Sequence, residues 1–372
     1  MSRFSPPRAA RARLFCIAAT AACLTTGAQA DPLSDHHAGQ GPLADQHAPA
    51  GVMFDHMHKA GEIMVGFRYA GSFADGGMRH GEKSASDQQV IDHGCTPHSC
   101  SIKPTDMTMH MYMLDLMYAP TDWLTLMVMP MWMSHDMTMG PLRGVMPSHD
   151  DHHMDMDMGG HGEHMGSHSH GTEGWGDTVF GPELRLAHGP NYHLHVSPMF
   201  SAPTGRVDIA SNGVFTHYGM QPGSGTWDFW PSITYTGRAD RLTWGAQVLG
   251  IIRMEKENES GYRLGDVFQT TFWGSYRFAP WISASVRGLY AEQGKIEGHY
   301  DGPHNHSSPP DLQFNYGGRF WDIGFGVNTV VTGGPLKGLR LSAEWLQPVM
   351  DDPNGYQLER EGTIWAAATM GF

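Results

Sequence analysis

From residue 61 to the last residue, apolar side chains recur at every second position, segment after segment. The positions between them carry polar, small or charged residues. Leu339, Leu341, Ala343 and Trp345 share one parity, and Arg340, Ser342 and Glu344 share the other. The same division sets Ile282, Ala284, Val286 and Tyr290 against Ser283, Ser285 and Arg287. It sets Leu242, Trp244, Ala246, Val248 and Ile252 against Thr243, Gln247 and Arg253. Phe268, Phe272, Tyr276 and Phe278 oppose Gln269, Thr271, Ser275 and Arg277. A period of two belongs to a β-strand, whose successive side chains point to opposite faces. A two-sheet sandwich would bury the apolar parity against a second sheet. A membrane barrel instead puts that parity in lipid, keeps the charges in a polar lumen, and pairs every backbone group around the ring.

The connections support the barrel. Short turns are expected at Pro120-Thr121-Asp122, Gly189-Pro190-Asn191, Arg238-Ala239-Asp240, around Pro280 and at Gly333-Gly334-Pro335. Longer polar stretches lie near 71–106, 135–174, 203–226, 255–264, 296–318 and 350–360. Short turns at one end and long loops at the other fit periplasmic and extracellular ends. Trp123, Trp227, Trp281 and Trp321 fall near strand ends, where an interfacial girdle requires them. The final segment places Ile364, Ala366, Ala368, Met370 and the terminal Phe372 on one parity, the form of an outer-membrane C-terminal strand.

The expectation is therefore an all-β protein, a single antiparallel transmembrane β-barrel of about 12 strands with long extracellular loops and both termini periplasmic. Asp115, Glu183, Arg185, Arg253, Arg277, Arg287, Asp322, Arg340 and Glu344 should face inward, since an Arg or Lys at mid-bilayer depth costs roughly 2–4 kcal/mol. The implied location is the bacterial outer membrane. The implied partners are outer-membrane lipid and the barrel assembly machinery, which would read the strand ending at Phe372.

Other classes are excluded. No apolar run beyond the N-terminus reaches the about 20 residues of a membrane helix. With 11 Trp, 12 Tyr and 16 Phe, the chain is not of disordered composition. A formal net charge of −14 argues against a nucleic-acid partner. The chain contains no Gly-x-Ser-x-Gly elbow and no His-Glu-x-x-His, so it does not read as an enzyme.

The first residues read as an export signal. Arg3, Arg8, Arg11 and Arg13 precede an apolar stretch from Leu14 to Leu24, and Ala28-Gln29-Ala30 is a small-x-small cleavage site. Residues 1–30 are thus expected to be a signal peptide, since Thr20-Ala21-Ala22 before Cys23 is a poor lipobox. Residues 31–60 show no period and read as a mobile, His-containing extension, and 61–372 as the barrel. Cys95 and Cys100 would then be the mature chain's cysteines. In an oxidising compartment they read as a local disulfide, the alternative being a metal site with His93 and His98.

The block from Met111 to Pro130, reading Met-Tyr-Met-Leu-Asp-Leu-Met-Tyr-Ala-Pro-Thr-Asp-Trp-Leu-Thr-Leu-Met-Val-Met-Pro, resembles one found in proteobacterial outer-membrane proteins. These are grouped as "meta-pathway of phenol degradation" transporters. Gly174-Trp175-Gly176-Asp177-Thr178 resembles their next strand, and Ala202-Pro203-Thr204-Gly205 the loop after it. The resemblance implies an outer-membrane channel or transporter and fixes no substrate.

A barrel needs neither 26 Met nor 24 His. Met107, Met109, Met111 and Met113 occupy alternate positions before Asp115 and Met117. Met127, Met129, Met131 and Met133 do the same before His135, Met137 and Met139. Asp115 should face the lumen, and the Leu124, Leu126, Val128 and Trp132 parity should face lipid, so both methionine tracks point inward. With Pro120–Asp122 as the turn, one compatible register sets Met113 opposite Met129, Met111 opposite Met131, Met109 opposite Met133 and Met107 opposite His135. The stretch 135–174 then reads as a Met/His-rich loop. It carries His149, His152, His153, Met154, Met156, Met158, His161, His164, Met165, His168 and His170 as further candidate metal ligands.

Thioether sulfur suits Cu(I), and imidazole suits Cu(II), Zn(II) and Ni(II). No cofactor is required, and copper ions are the ligands this donor set favours. The functional expectation is an outer-membrane channel or transporter with a copper-binding loop and a methionine-lined lumen. The alternative is a passive channel for small hydrophobic or aromatic solutes, with methionine as flexible apolar filler. His36, His37, His47, His56, His58, His193, His195, His299, His304 and His306 form smaller groups that weigh less.

Overall fold

The computed structural model describes residues 42–144 and 167–372. Among them, twelve long antiparallel strands run in sequence. They are β1 (Ile63–His80), β2 (Ile102–Thr121), β3 (Leu124–Met129 and Met131–Pro141, interrupted at Pro130), β4 (His168–Trp175 and Thr178–Gly189), β5 (Tyr192–Ala202), β6 (Asp228–Ala239), β7 (Leu242–Arg253), β8 (Val267–Ala279), β9 (Ile282–Gln293), β10 (Gly318–Val330), β11 (Arg340–Pro353) and β12 (Tyr356–Gly371). Each pairs with its neighbours in sequence, and β1 pairs with both β2 and β12, so the sheet closes. Closure removes both edges, which an open sheet in lipid would leave unpaired. Ile63 and Phe372 exchange backbone hydrogen bonds at 2.7 and 3.1 Å, which places the two barrel ends on one rim.

The outer wall is apolar in the pattern the alternation predicts. Phe67, Leu116, Val128, Phe272, Val286 and Phe325 project outward, and Phe272 is 62% exposed. A face of this kind is solvated by lipid chains. Trp123, Trp227, Trp281 and Trp321 are exposed near strand ends. The opposite parity carries Asp115, Glu183, Arg277, Arg287, Asp322 and Glu344, all buried, with Arg185, Arg253 and Arg340 half-buried.

Two expectations about connections need correction. The stretch 350–360 is not a long loop, because β11 and β12 continue to a two-residue turn at Asn354-Gly355, where Gly355 takes φ +58°. Nor does the Met/His-rich loop begin at 135. Residues 131–141 and 168–175 form a paired extension, with Trp132 opposite Trp175 and Met139 opposite His168. Interstrand hydrogen bonding carries the ladder on to Pro141 and His168, which composition alone did not show. The expected leader and residues 145–166 lie outside the described residues.

The largest correction concerns the extension. Residues 42–60 are not a free arm. They run into the lumen from the rim that carries the termini and fill its lower half. Asn328 donates to the carbonyls of His47 and Ala48, Arg68 to those of Ala50 and Val52, and Gln247 to that of Met53. Asp45 pairs with Arg277 at 3.0 Å. Phe54 is buried against the inner wall. A segment without helical or strand period can still be fixed when a polar wall satisfies its backbone groups one by one.

Candidate functional site

The inner wall between β2 and β3 is built from sulfur. Met113, Met117, Met127, Met129, Met131, Met137 and Met139 are buried, and Met107, Met109, Met111 and Met133 are half-buried on the same parity. The expected register is displaced by two residues. Met113 faces Met131, Met111 faces Met133, Met109 faces His135 and Met107 faces Met137. Met117 faces Met127 nearer the turn. The cause is local. Thr121 pairs with Leu124 across Asp122-Trp123, and a bulge between Tyr118 and Thr121 shifts the ladder by one residue, which leaves it two residues from the expected register. An even displacement preserves parity, so both tracks share the luminal face.

The segment in the lumen completes this surface. Met53 and Phe54 pack with Met64, Met113, Met129, Met131 and Met199. Met64 and Met199 lie on inward parities of β1 and β5, a signal the alternation held. Met53 and Met220 lie in irregular segments, where no period marks them. Met220, in the loop between β5 and β6, covers Met137 and Met139 at the upper end.

Cavities flank this core. One of about 240 Å3 touches Met107, Met109 and Arg360 in the upper lumen. Another of about 610 Å3 opens at the lower end and touches Met64, His47, His56 and His58. Glu183 stands opposite Thr125 on the inner wall, fully buried, with both oxygens unpartnered among the described residues. Asp55 and Asp115 are close enough to act on it electrostatically.

Imidazoles gather at the upper mouth. The His168 and His170 rings lie 6.0 Å apart, and His170 is 5.1 Å from His217. His217 Nδ1 is 2.7 Å from Asp311 Oδ1. His98, His304 and His306 form a second run, with ring centroids 5.3 and 4.4 Å apart. Partial desolvation, then His304 and His98, holds the His306 imidazole below its ordinary pKa. Burial alone would raise the Asp311 carboxyl. The bond and charge of His217, with the Ser308 hydrogen bonds, outweigh it and hold that carboxyl low. Cys95 and Cys100 are joined in a disulfide within the β1–β2 loop.

The structure thus brings together Met107, Met109, Met111, Met113, Met127, Met129, Met131, Met133, His135, Met137 and Met139 on one inner wall. It places His168 and His170 at the mouth. His149, His152, His153, Met154, Met156, Met158, His161, His164 and Met165 lie outside the described residues.

The family described as "Putative MetA-pathway of phenol degradation" matches residues 152–343, more than half of the chain. The chain belongs to this family. No curated protein matches it. Among solved structures it resembles an outer-membrane channel from Pseudomonas putida F1, with TM-score 0.55 and 13% identity over 86% of this chain and 99% of that one. A FadL homologue from Pseudomonas aeruginosa matches with TM-score 0.41 and 10% identity over 89% and 98% of the two chains. Family and fold agree on a β-barrel of the bacterial outer membrane.

Proposed function

We propose that this barrel is an outer-membrane channel that passes soft metal cations, copper(I) foremost. The observation that carries the reading is the run of opposed thioethers, Met107–Met137, Met111–Met133, Met113–Met131 and Met117–Met127, on one luminal wall. Directly opposed side chains have Cβ atoms about 4.5–5.5 Å apart, a spacing at which two flexible thioethers share one soft ion. Each pair is a weak site, and weak sites in series allow release as well as capture. The unpartnered oxygens of Glu183 near the lower end offer further donors to a passing cation. Histidines at the upper mouth, and in residues 145–166, would collect the ion before the track.

A second reading rests on the apolar part of the same surface. Phe54, Trp230 and Trp365 pack with the methionines, which suits a small apolar or aromatic solute.

Replacing Met111, Met113, Met131 and Met133 with Leu separates the two. The swap conserves volume and costs less than about 1.5 kcal/mol at each site. Uptake of Cu(I) or Ag(I) into liposomes carrying the barrel should fall about tenfold or more, because the soft donor atoms are gone. Unchanged metal uptake, with altered flux of an aromatic solute, would favour the second reading.

A further inference from the structure

The segment in the lumen carries imidazoles that the thioether track does not use. The His47 and His56 rings lie 4.0 Å apart, and His58 lies 5.0 Å from His56. One ligand-type atom each from His47, Asp55 and His56 lies within 4.8 Å of the others. Asp55 is held in place on both sides. Its Oδ2 accepts the Ala48 N–H at 2.9 Å, and its Oδ1 lies 2.8 Å from His56 Nδ1.

That contact places the His56 proton on Nδ1 and leaves the lone pair on Nε2, which is buried and without a partner. His58 repeats the arrangement. Its Nδ1 is 3.4 Å from Glu62 Oε2, and its Nε2 is likewise buried and unpartnered. Buried polar nitrogens without partners are uncommon and ask for an explanation. Two of them, each backed by a carboxylate, form the carboxylate–imidazole arrangement that orients metal ligands. All three rings border the cavity of about 610 Å3 at the lower end, so an ion has a way in from the periplasm.

We propose that His47, His56 and His58 bind a divalent cation, Cu(II) or Zn(II), with Asp55 and Glu62 orienting the rings; His58, outside the group of ligand atoms within 4.8 Å of one another, turns in to join the His47–His56 pair. Three imidazole ligands leave one position for water in a tetrahedral Zn(II) site, and imidazole suits Cu(II) equally. The ligands come from one short stretch of chain, so a bound ion fastens that stretch to itself. It thereby holds the segment in the course that closes the lower lumen. The site draws on none of the methionines and stands apart from the thioether path.

The test is titration of the full chain in detergent with Cu(II), read by calorimetry and by electron paramagnetic resonance. Among the copper ions the wild type binds, one equivalent should give a spectrum that carries coupling to several imidazole nitrogens. That equivalent should vanish in the His47→Gln/His56→Gln variant and persist in the variant with Met111, Met113, Met131 and Met133 changed to Leu. The two proposals therefore fail separately. Should the double variant not fold, His58→Gln alone is expected to weaken the same equivalent about tenfold. Unchanged stoichiometry and spectrum in whichever variant folds would overturn the site.

Discussion

The backbone N–H of Gly51 donates to Glu344 Oε2 at 2.8 Å, inside the barrel, while Glu344 Oε1 takes the Arg287 guanidinium at 2.8 Å. All three groups lie away from solvent, and Glu344 belongs at once to the wall and to the segment that closes the lumen. A Cβ on residue 51 would stand 2.5 Å from Arg287 Nη2 and 2.9 Å from Glu344 Oε2, so a side chain here must push the ends of that ion pair aside. Gly51→Leu should therefore displace the segment without touching a strand. The expected result is normal barrel assembly with raised conductance in planar bilayers. A conductance equal to wild type would show that the segment does not obstruct the path.

Glu344→Ala goes further and leaves Arg287 as an uncompensated buried charge. Breaking a buried pair from one side costs about 3–5 kcal/mol. Urea unfolding of the refolded barrel should show a loss of that order. A variant that also changes Arg287 to Met should recover part of it, because both charges are then absent. A loss below about 1 kcal/mol for Glu344→Ala would mean that water reaches the pair and screens it.

The barrel was legible because two physical constraints leave a local record. Lipid on one face and charge on the other write a period of two into every strand, and Phe372 closes the pattern. The inward direction of Met113 and Met131 followed from Asp115, since one costly charge fixes the parity of its strand. The register did not follow. It depends on the bulge between Tyr118 and Thr121, which is set by how that particular turn closes. The position of residues 42–60 was not legible either. Ala48, Gly51 and Val52 carry no periodic signal, and what fixes them are inward side chains such as Asn328 and Arg68, far off in sequence or on another element. The imidazole cluster at His47, His56 and His58 became visible only once that course was known.

The upper cap should respond to acid. The Asp311 carboxyl is held below its ordinary value in the folded chain, so it binds its proton less readily there than when unfolded. Its contribution is fully present above the unfolded pKa of about 3.9 and is lost as pH falls through the lower folded value. Hydrogen exchange of the 294–317 loop, taken relative to the intrinsic amide rate at each pH, should thus be slow at pH 6 and quicken below about pH 4. Asp311→Asn should quicken it already at pH 6 and flatten the pH dependence. A loop whose exchange is the same in both proteins would remove the His217–Asp311 pair as its anchor.

Removing residues 145–166 tests the capture role without entering a strand, since β3 ends at Pro141 and β4 begins at His168. Loops tolerate such excision when the ladder beside them is intact. The deletion should lower the number of copper ions held at equilibrium dialysis while heat-modifiable migration of the barrel is retained. Copper binding equal to wild type would assign the ions to the described histidines and methionines instead.

The register of the methionine ladder has its own test. Leu114 N–H donates to the carbonyl of Pro130 at 3.1 Å, directly across the hairpin. Positions 114 and 130 are therefore the hydrogen-bonded pair, and their neighbours Met113 and Met131 form a non-hydrogen-bonded pair, the kind in which side chains lie closer. Met111 and Met133, two residues on, belong to the same kind. Cysteines at 113 and 131 should oxidise to a disulfide, because directly opposed Cβ atoms of this class approach the 3.5–4.5 Å that the bond requires. Cysteines at 113 and 129 lie on a diagonal about 7–8 Å apart and should stay reduced. Mass spectrometry after mild oxidation reads both outcomes. Bridging of 113 to 129 instead would move the ladder back by two residues. It would set Met109 opposite Met133 and Met107 opposite His135, and so change which sulfur atoms can share an ion.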